Sequence, residues 1–427
     1  MNVRSQPRTT LTLLSVAFLV AAACRTAFSQ CGYEAEVLPW PPGYHLVLPS
    51  DMNESGVVVG QRKVQGGSLQ ISAFRWTAEE GYVTLPPPPQ GAAEWEATDI
   101  DAFGTIVGLA DLPGNPSWFQ IVRWPVGGGV ELLSPANSAL SYSNYAVLAD
   151  GSIVGTISNG PNGQFPRPFW WRDGGFLSIP EPIGSADGGF RCAHPTGWAG
   201  GLVRLSQRSG ELEWYAVLWK PDQRPILVDL LRWPFFNETF VALDKHLRAC
   251  VVATESVNGS SPKRTYYWDG LTLEAVGPNQ GLAWTTGAGM NELGQIVGRT
   301  GVLGGNGFAF LWQDGVFSDL STLTTLPPGY TLFWAHRPLN DGVLFCDAYL
   351  RGSIRGVILR PQTVAEDVNV DCKVNTRDLQ LVLEEWGPVN ELSVRRADVN
   401  GDEEVDAYDL AEVLGAWSPV ELPGNAR

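Results

Sequence analysis

Along most of the chain, apolar runs of four to six residues alternate with clusters of Gly, Pro, Asn and Asp, and the order of these blocks repeats. One copy reads NESGVVVG (53–60), AFRW (73–76) and YVTL (82–85). The order returns as DAFGTIVG (101–108) with IVRW (121–124), ADGSIVG (149–155) with PFWW (168–171), and NELGQIVG (291–298) with AFLW (309–312). Trp76, Trp124, Trp171, Trp219, Trp268 and Trp312 close the third block at spacings of 48, 47, 48, 49 and 44, and Leu359 takes that place 47 residues on. Short apolar runs bounded by turn formers predict strands. In the second copy these are EATDI (96–100), TIVGLA (105–110), FQIVRW (119–124) and VELL (130–133).

A four-stranded unit repeated at this period predicts a β-propeller, because one such unit cannot bury both faces until neighbours stack on it. The recurring Trp, or Leu359, would fill the space between blades. The seventh unit stops after its third strand at Leu359-Arg360, and an unattached strand candidate, AEVLP (35–39), lies near the N-terminus. It precedes PPGY (41–44), just as the fourth strand of the sixth unit, SDLS (318–321), precedes PPGY (327–330). The expectation is therefore a mainly β, seven-bladed propeller over residues 31–360, closed by the N-terminal strand so that no sheet edge is left open. Long linkers between second and third strands, and Pro-rich ones between blades, share one face, which is where recognition is expected. The N-x-x-G-x-x-V-G and A-F-x-W pattern resembles the HAF repeats of bacterial extracellular proteins over about residues 50–360, with units four (WAGGLVRL, 198–205) and five (KHLRACVVA, 245–253) departing from it. That resemblance implies a location and an architecture, not an activity.

The two ends differ from the array. Arg4 and Arg8 precede an apolar run, Leu11 to Ala23, and small residues at Ala27-Phe28-Ser29, which reads as a secretory signal peptide over residues 1–29. Ala21-Ala22-Ala23-Cys24 is the lipoprotein alternative. No membrane span is expected after cleavage. Five cysteines then remain, Cys31, Cys192, Cys250, Cys346 and Cys372, with no CxxC spacing. They read as free buried thiols, and Cys31 with Cys372 is the one pair worth considering because both flank the array. The formal charge of −16 gives no basic face for nucleic acid. Residues 361–427 hold 15 acidic and 5 basic residues, so acidity is concentrated there.

That tail repeats itself at an offset of 31: DVNVDCKVNTRDLQLVLEEW (367–386) and DVNGDEEVDAYDLAEVLGAW (398–417). Oxygen-bearing side chains stand at loop positions 1, 3, 5, 9 and 12, followed at once by an amphipathic helix pattern. Calcium is a hard cation that takes six to eight oxygens from such a loop. The first ligand set is Asp367, Asn369, Asp371, Asn375 and Asp378 with the carbonyl of Lys373. The second is Asp398, Asn400, Asp402, Asp406 and Asp409 with the carbonyl of Glu404, giving two calcium ions. The pair resembles a dockerin domain over about residues 366–419, which implies a small all-α calcium-binding module over 361–427 and a cohesin partner read through Thr376, Arg377, Ala407 and Tyr408. Position 6 is Cys372 in one loop and Glu403 in the other, where Gly is usual.

Within the array, Asp51, Asp99 and Arg337 stand five before a turn glycine, and Asp244 is taken as their counterpart in unit five. First strands line a propeller channel, so these residues, with His194 and His336, are candidates to converge near the axis or simply to face channel water. Trp95, Trp284 and Trp334 precede first strands, toward the loop-rich face, and are candidates either for sugar stacking or for packing between blades. No nucleophile motif is present. The leading expectation is a secreted or surface-associated bacterial-envelope propeller that binds a glycan or protein without catalysis, anchored by its calcium-binding tail. The alternatives are a secreted carbohydrate-active enzyme and a purely structural envelope protein.

Overall fold

The computed structural model describes residues 31–417 except 65–70, 114–118, 135–139, 160–163, 178, 183–184, 207–211, 221–222, 229–234, 256–261, 278–283, 302–306 and 391–392. The expected signal peptide, its lipoprotein alternative and residues 418–427 lie outside these.

Seven four-stranded antiparallel sheets follow one another, each in simple meander order except the last. In that sheet the strand Tyr33–Val37 is the outermost, pairing with Ser353–Pro361 from Tyr33↔Pro361 to Val37↔Val357. The ring is thus closed by the N-terminus, as expected. The closing strand begins two residues earlier than AEVLP, and Leu38 leaves the ladder after its amide bonds Gly356 O, turning its side chain into the core between blades seven and one.

Blade cores explain the repeated residues. Trp76, Trp124, Trp171, Trp219 and Trp312 are buried, and Leu359 is fully so in the cluster shared by blades six and seven. Two indoles find acceptors in the linker after the preceding blade: Trp124 Nε1 donates to Pro86 O at 2.8 Å and Trp219 Nε1 to Pro180 O at 3.2 Å. Trp95 is buried in the core between blades one and two and donates to Leu85 O, so it serves blade packing and not sugar stacking. Trp284 is half-buried, with the Arg299 guanidinium 5.5 Å from its ring.

The glycine ending the V-G motif has a separate cause. Every first strand carries a bulge at the same register: between Pro49 and Asp51, Ala97 and Asp99, Asn144 and Ala146, Phe190 and Cys192, Phe240 and Ala242, Gly287 and Gly289, and Ala335 and Arg337. A bulge kinks the strand and re-aims its side chains. It also drives a carbonyl toward the second strand: a Cβ on Gly108 would sit 1.9 Å from Glu96 O, and one on Gly60 2.3 Å from Leu48 O. Unit four, divergent in sequence, keeps this feature at Gly201.

The helices are short: α1 (Leu320–Leu323) in blade six, and α2 (Thr376–Glu384) and α3 (Ala407–Gly415) in the tail. Among the described residues, no helix is long and apolar enough to cross a membrane. Cys31 and Cys372 form a disulfide with Cα atoms 5.1 Å apart, which corrects the free-thiol reading for these two. Cys192, Cys250 and Cys346 are free and buried.

Candidate functional site

The tail loops fold by one plan. In the first, the Asp371 and Cys372 amides donate to Asp367, Asp371 N also to Asn369 Oδ1, and Lys373 N to Asp371 Oδ1. In the second, the Asp402 and Glu403 amides donate to Asp398, Asp402 N also to Asn400 Oδ1, and Glu404 N to Asp402 Oδ1. Positions 9 and 12 double as the N-cap and third residue of each helix, forming capping boxes Asn375–Asp378 and Asp406–Asp409. Each position-12 carboxylate ties its own loop shut: Asp378 accepts from Asn369 N and Asn375 N, and Asp409 from Asn400 N and Asp406 N. Position 6 adopts the left-handed conformation without glycine, Cys372 at φ 64° and Glu403 at φ 71°.

These loops fit calcium. The donors are hard oxygens, and the left-handed residue that the sharp turn of such a loop demands is present at position 6 of both. Burial raises the Asp367 carboxyl above its usual range and pushes Asp378 up to about 6, against the opposing pull of the amides from Asn369 and Asn375. A cation would repay that desolvation. Thr376, Ala407 and Tyr408 are exposed, whereas Arg377 is half-buried, 3.8 Å from Glu384.

Residues 365–415 match the dockerin type I domain. Dockerins of this type generally bind calcium and engage cohesins. No curated protein matches the chain. The propeller is similar in fold to the β-propeller domain of the trilobed protease from Pyrococcus furiosus, at 10% identity and a TM-score of 0.53, with 75% of this chain and 94% of that one covered. It is also similar to puromycin hydrolase, at 13% identity and a TM-score of 0.50, with 75% of this chain covered but only 54% of that one.

The two halves of the dockerin match sit differently. Position 12 is buried in both, at Asp378 and Asp409, but Asp367 and Asn369 of the first loop are buried where their counterparts Asp398 and Asn400 are half-buried and exposed.

A second site lies in the propeller. A cavity of about 500 Å³ is lined by the ends of all seven first strands and the short turns that follow them, including Asp51, Asp99, His194, Glu292, Trp334 and Arg337. It therefore lies toward the short turns, not toward the longer linkers where recognition was expected. Arg337 Nη1 is 2.9 Å from Asp51 Oδ2 and 3.9 Å from Asp99 Oδ1, so three blades converge here. Each carboxylate also holds the amide of the next blade: Ile100 N donates to Asp51 and Val147 N to Asp99. Burial, then the Asp51 charge, raise Asp99 well above the usual carboxylate range, while Asp51 above all holds Arg337 protonated.

Asp244 does not join this group. The turn amides of His246 and Arg248 bond its carboxylate, and Leu247, at φ 63°, takes the turn glycine's place. That sets Asp244 at the register of Asn53 and Asn291, three residues before the turn and not five, where it pairs with Arg248. His336 bonds Asp347 instead of facing a partner across the channel.

Sequence reasoning missed how the turns interlock. Glu54 accepts from Asn340 N of blade seven, and Glu292 accepts from Lys245 N of blade five and from the His194 ring of blade four at 2.7 Å. In each case the turn glutamate of N-E-x-G reaches back to the equivalent amide of the preceding blade. The signal was the recurrence of the N-E-x-G turn in units one and six alone.

Proposed function

We propose that the chain is a secreted or surface-associated propeller that recognises a glycan or protein and is built into an extracellular assembly through two calcium-bound loops of its dockerin-like tail. The observation that carries this reading is the bond-for-bond repetition of the two loops around convergent oxygens, within the stretch that the dockerin family matches. Asp367, Asn369, Asp371, Asn375 and Asp378 with Lys373 O would hold one ion, and Asp398, Asn400, Asp402, Asp406 and Asp409 with Glu404 O the other. Calcium would neutralise the buried carboxylates and set the entry angle of α2 and α3. A cohesin-type partner would then meet exposed helix residues, among them Ala407 and Tyr408. The HAF-like repeat pattern supports the extracellular setting.

The channel supports binding over catalysis. Asp51 and Asp99 are both engaged by the Arg337 guanidinium and by main-chain amides of the neighbouring blades, which suits an ion-pair cluster better than the pair of separately placed carboxyl groups that glycoside cleavage needs. Half-buried Trp334 beside the Arg337 ion-pair cluster offers an apolar face and polar groups to a sugar. Calorimetric titration of the intact chain with calcium tests the tail. Two sites are expected, one abolished by Asp398→Asn, and absence of any heat of binding refutes the assignment. Glycan-array binding by the intact chain, weakened by Trp334→Ala, tests the propeller; no glycan binding, or binding indifferent to Trp334, removes the sugar reading.

A further inference from the structure

The first calcium loop is seated on the chain's own propeller. Val370, between ligand positions 3 and 5, packs against the turn of blade seven so closely that a Cβ on Gly342 would lie 2.8 Å from it. Leu293, from the turn of blade six, is buried in the tail's own core with Cys31, Val368, Val370, Val374 and Leu381. Lys245, from the turn of blade five, pairs with Glu385 just past α2, both side chains largely buried. A relay of buried amides completes the contact. Asn291 Nδ2 donates to Gln295 Oε1 at 2.8 Å, Gln295 Nε2 to Gln313 Oε1 at 3.0 Å, and Gln313 Nε2 to the carbonyl of Asn369 at 2.6 Å. Asn291 also donates to Leu339 O, so the relay joins blades six and seven to ligand position 3.

This surface is specific to one part of the ring. Only unit six has glutamine both after its turn glycine, at Gln295, and after its anchor tryptophan, at Gln313. A buried amide chain is stable only when every member is satisfied, so these positions are matched to the loop and not to solvent. The second loop makes no comparable contact among the described residues, and its ligand side chains at positions 3 and 5 are exposed.

We infer that the turn face of blades five to seven is a built receptor for the first calcium loop, so that calcium in that loop fastens the tail to the propeller while the second loop and α3 remain free for an outside partner. This rests on the calcium reading of the tail. The coupling must be reciprocal, since any free energy by which calcium strengthens the seat is returned by the seat to calcium affinity. The propeller residues Leu293 and Gln313 therefore tune one calcium constant and not the other, although neither is a ligand.

The test is calcium calorimetry on the intact chain, comparing wild type with Leu293→Ser and Gln313→Ala. Each variant is expected to weaken one of two sites at least five-fold and leave the other within two-fold. Unchanged constants in both variants, or an equal fall at both sites, overturns the inference; no calcium binding by wild type instead removes the reading beneath it. Hydrogen exchange on ligand variants supplies an independent arm. Asp367→Asn is expected to speed exchange in turns 291–295 and 339–343 at least ten-fold in calcium, and Asp398→Asn to leave it unchanged. Equal protection of those turns in both variants contradicts the seat.

Discussion

The Cys31–Cys372 disulfide joins the residue two before the ring-closing strand to position 6 of the first tail loop, across 341 residues of sequence. Removing it, by reduction or by Cys31→Ala/Cys372→Ala, frees the N-terminus and the loop together. In the chain-entropy account a loop of that size is worth about 5.8 kcal/mol, while measured disulfides cluster at about 2–4 kcal/mol. Unfolding entropy of about 2.1 cal/mol/K per residue gives a propeller of this length about 0.7 kcal/mol/K, so each kcal/mol moves Tm by about 1.4 °C. The expected loss is therefore about 3–8 °C, measured by calorimetric melting of oxidised and reduced protein in saturating calcium. Cys192, Cys250 and Cys346 are free and buried, so reduction changes no other bond among the described cysteines. A shift under about 1 °C, or thiol counting that finds Cys31 and Cys372 both free in the untreated protein, refutes the argument.

Other consequences are as direct. Trp219→Ala removes a buried ring set edge-on to Phe190 at 5.0 Å and is expected to cost about 3–5 kcal/mol in denaturant unfolding. Gly108→Ala places a methyl group against Glu96 O and is expected to cost about 3 kcal/mol, whereas Gly128→Ala, in an open turn, owes any cost to its positive φ alone; the two melts compared separate clash from conformation. Asp99→Asn keeps an acceptor for Val147 N but cannot ionise. Because Asp99 is raised in the folded state, its stabilising contribution is full below the ordinary aspartate value and declines as pH rises through the raised one, so the variant is expected to gain on wild type between pH 5 and pH 8. Melting at both pH values checks this, and a constant difference contradicts it.

Much of the architecture was legible because it repeats. The anchor tryptophans, the turn glycines and the missing fourth strand of unit seven each have one physical use, and the period of about 47 residues shows them together. The paired tail loops were legible for the same reason, with the oxygen spacing and helix capping written in one short stretch. What was not legible depends on register. Asp244 looked equivalent to Asp51 until the bulge and Leu247 fixed the alignment of unit five. Contacts between modules carried still weaker signals: Gln295, Gln313 and Leu293 look like ordinary variation within a repeat, and their meaning appears only when the tail lies against them. Cys31 and Cys372, far apart in sequence, were likewise ambiguous until the closing strand brought the two ends of the array together.

Assembly through the tail and its seat on the propeller both depend on two calcium ions in the proposed loops. Native mass spectrometry of the intact chain, after exchange into calcium and again after chelation, counts the ions directly. Two calcium ions are expected on wild type, one on Asp398→Asn and none after chelation; a wild-type chain that carries no calcium at saturating concentration contradicts the proposed role of the tail.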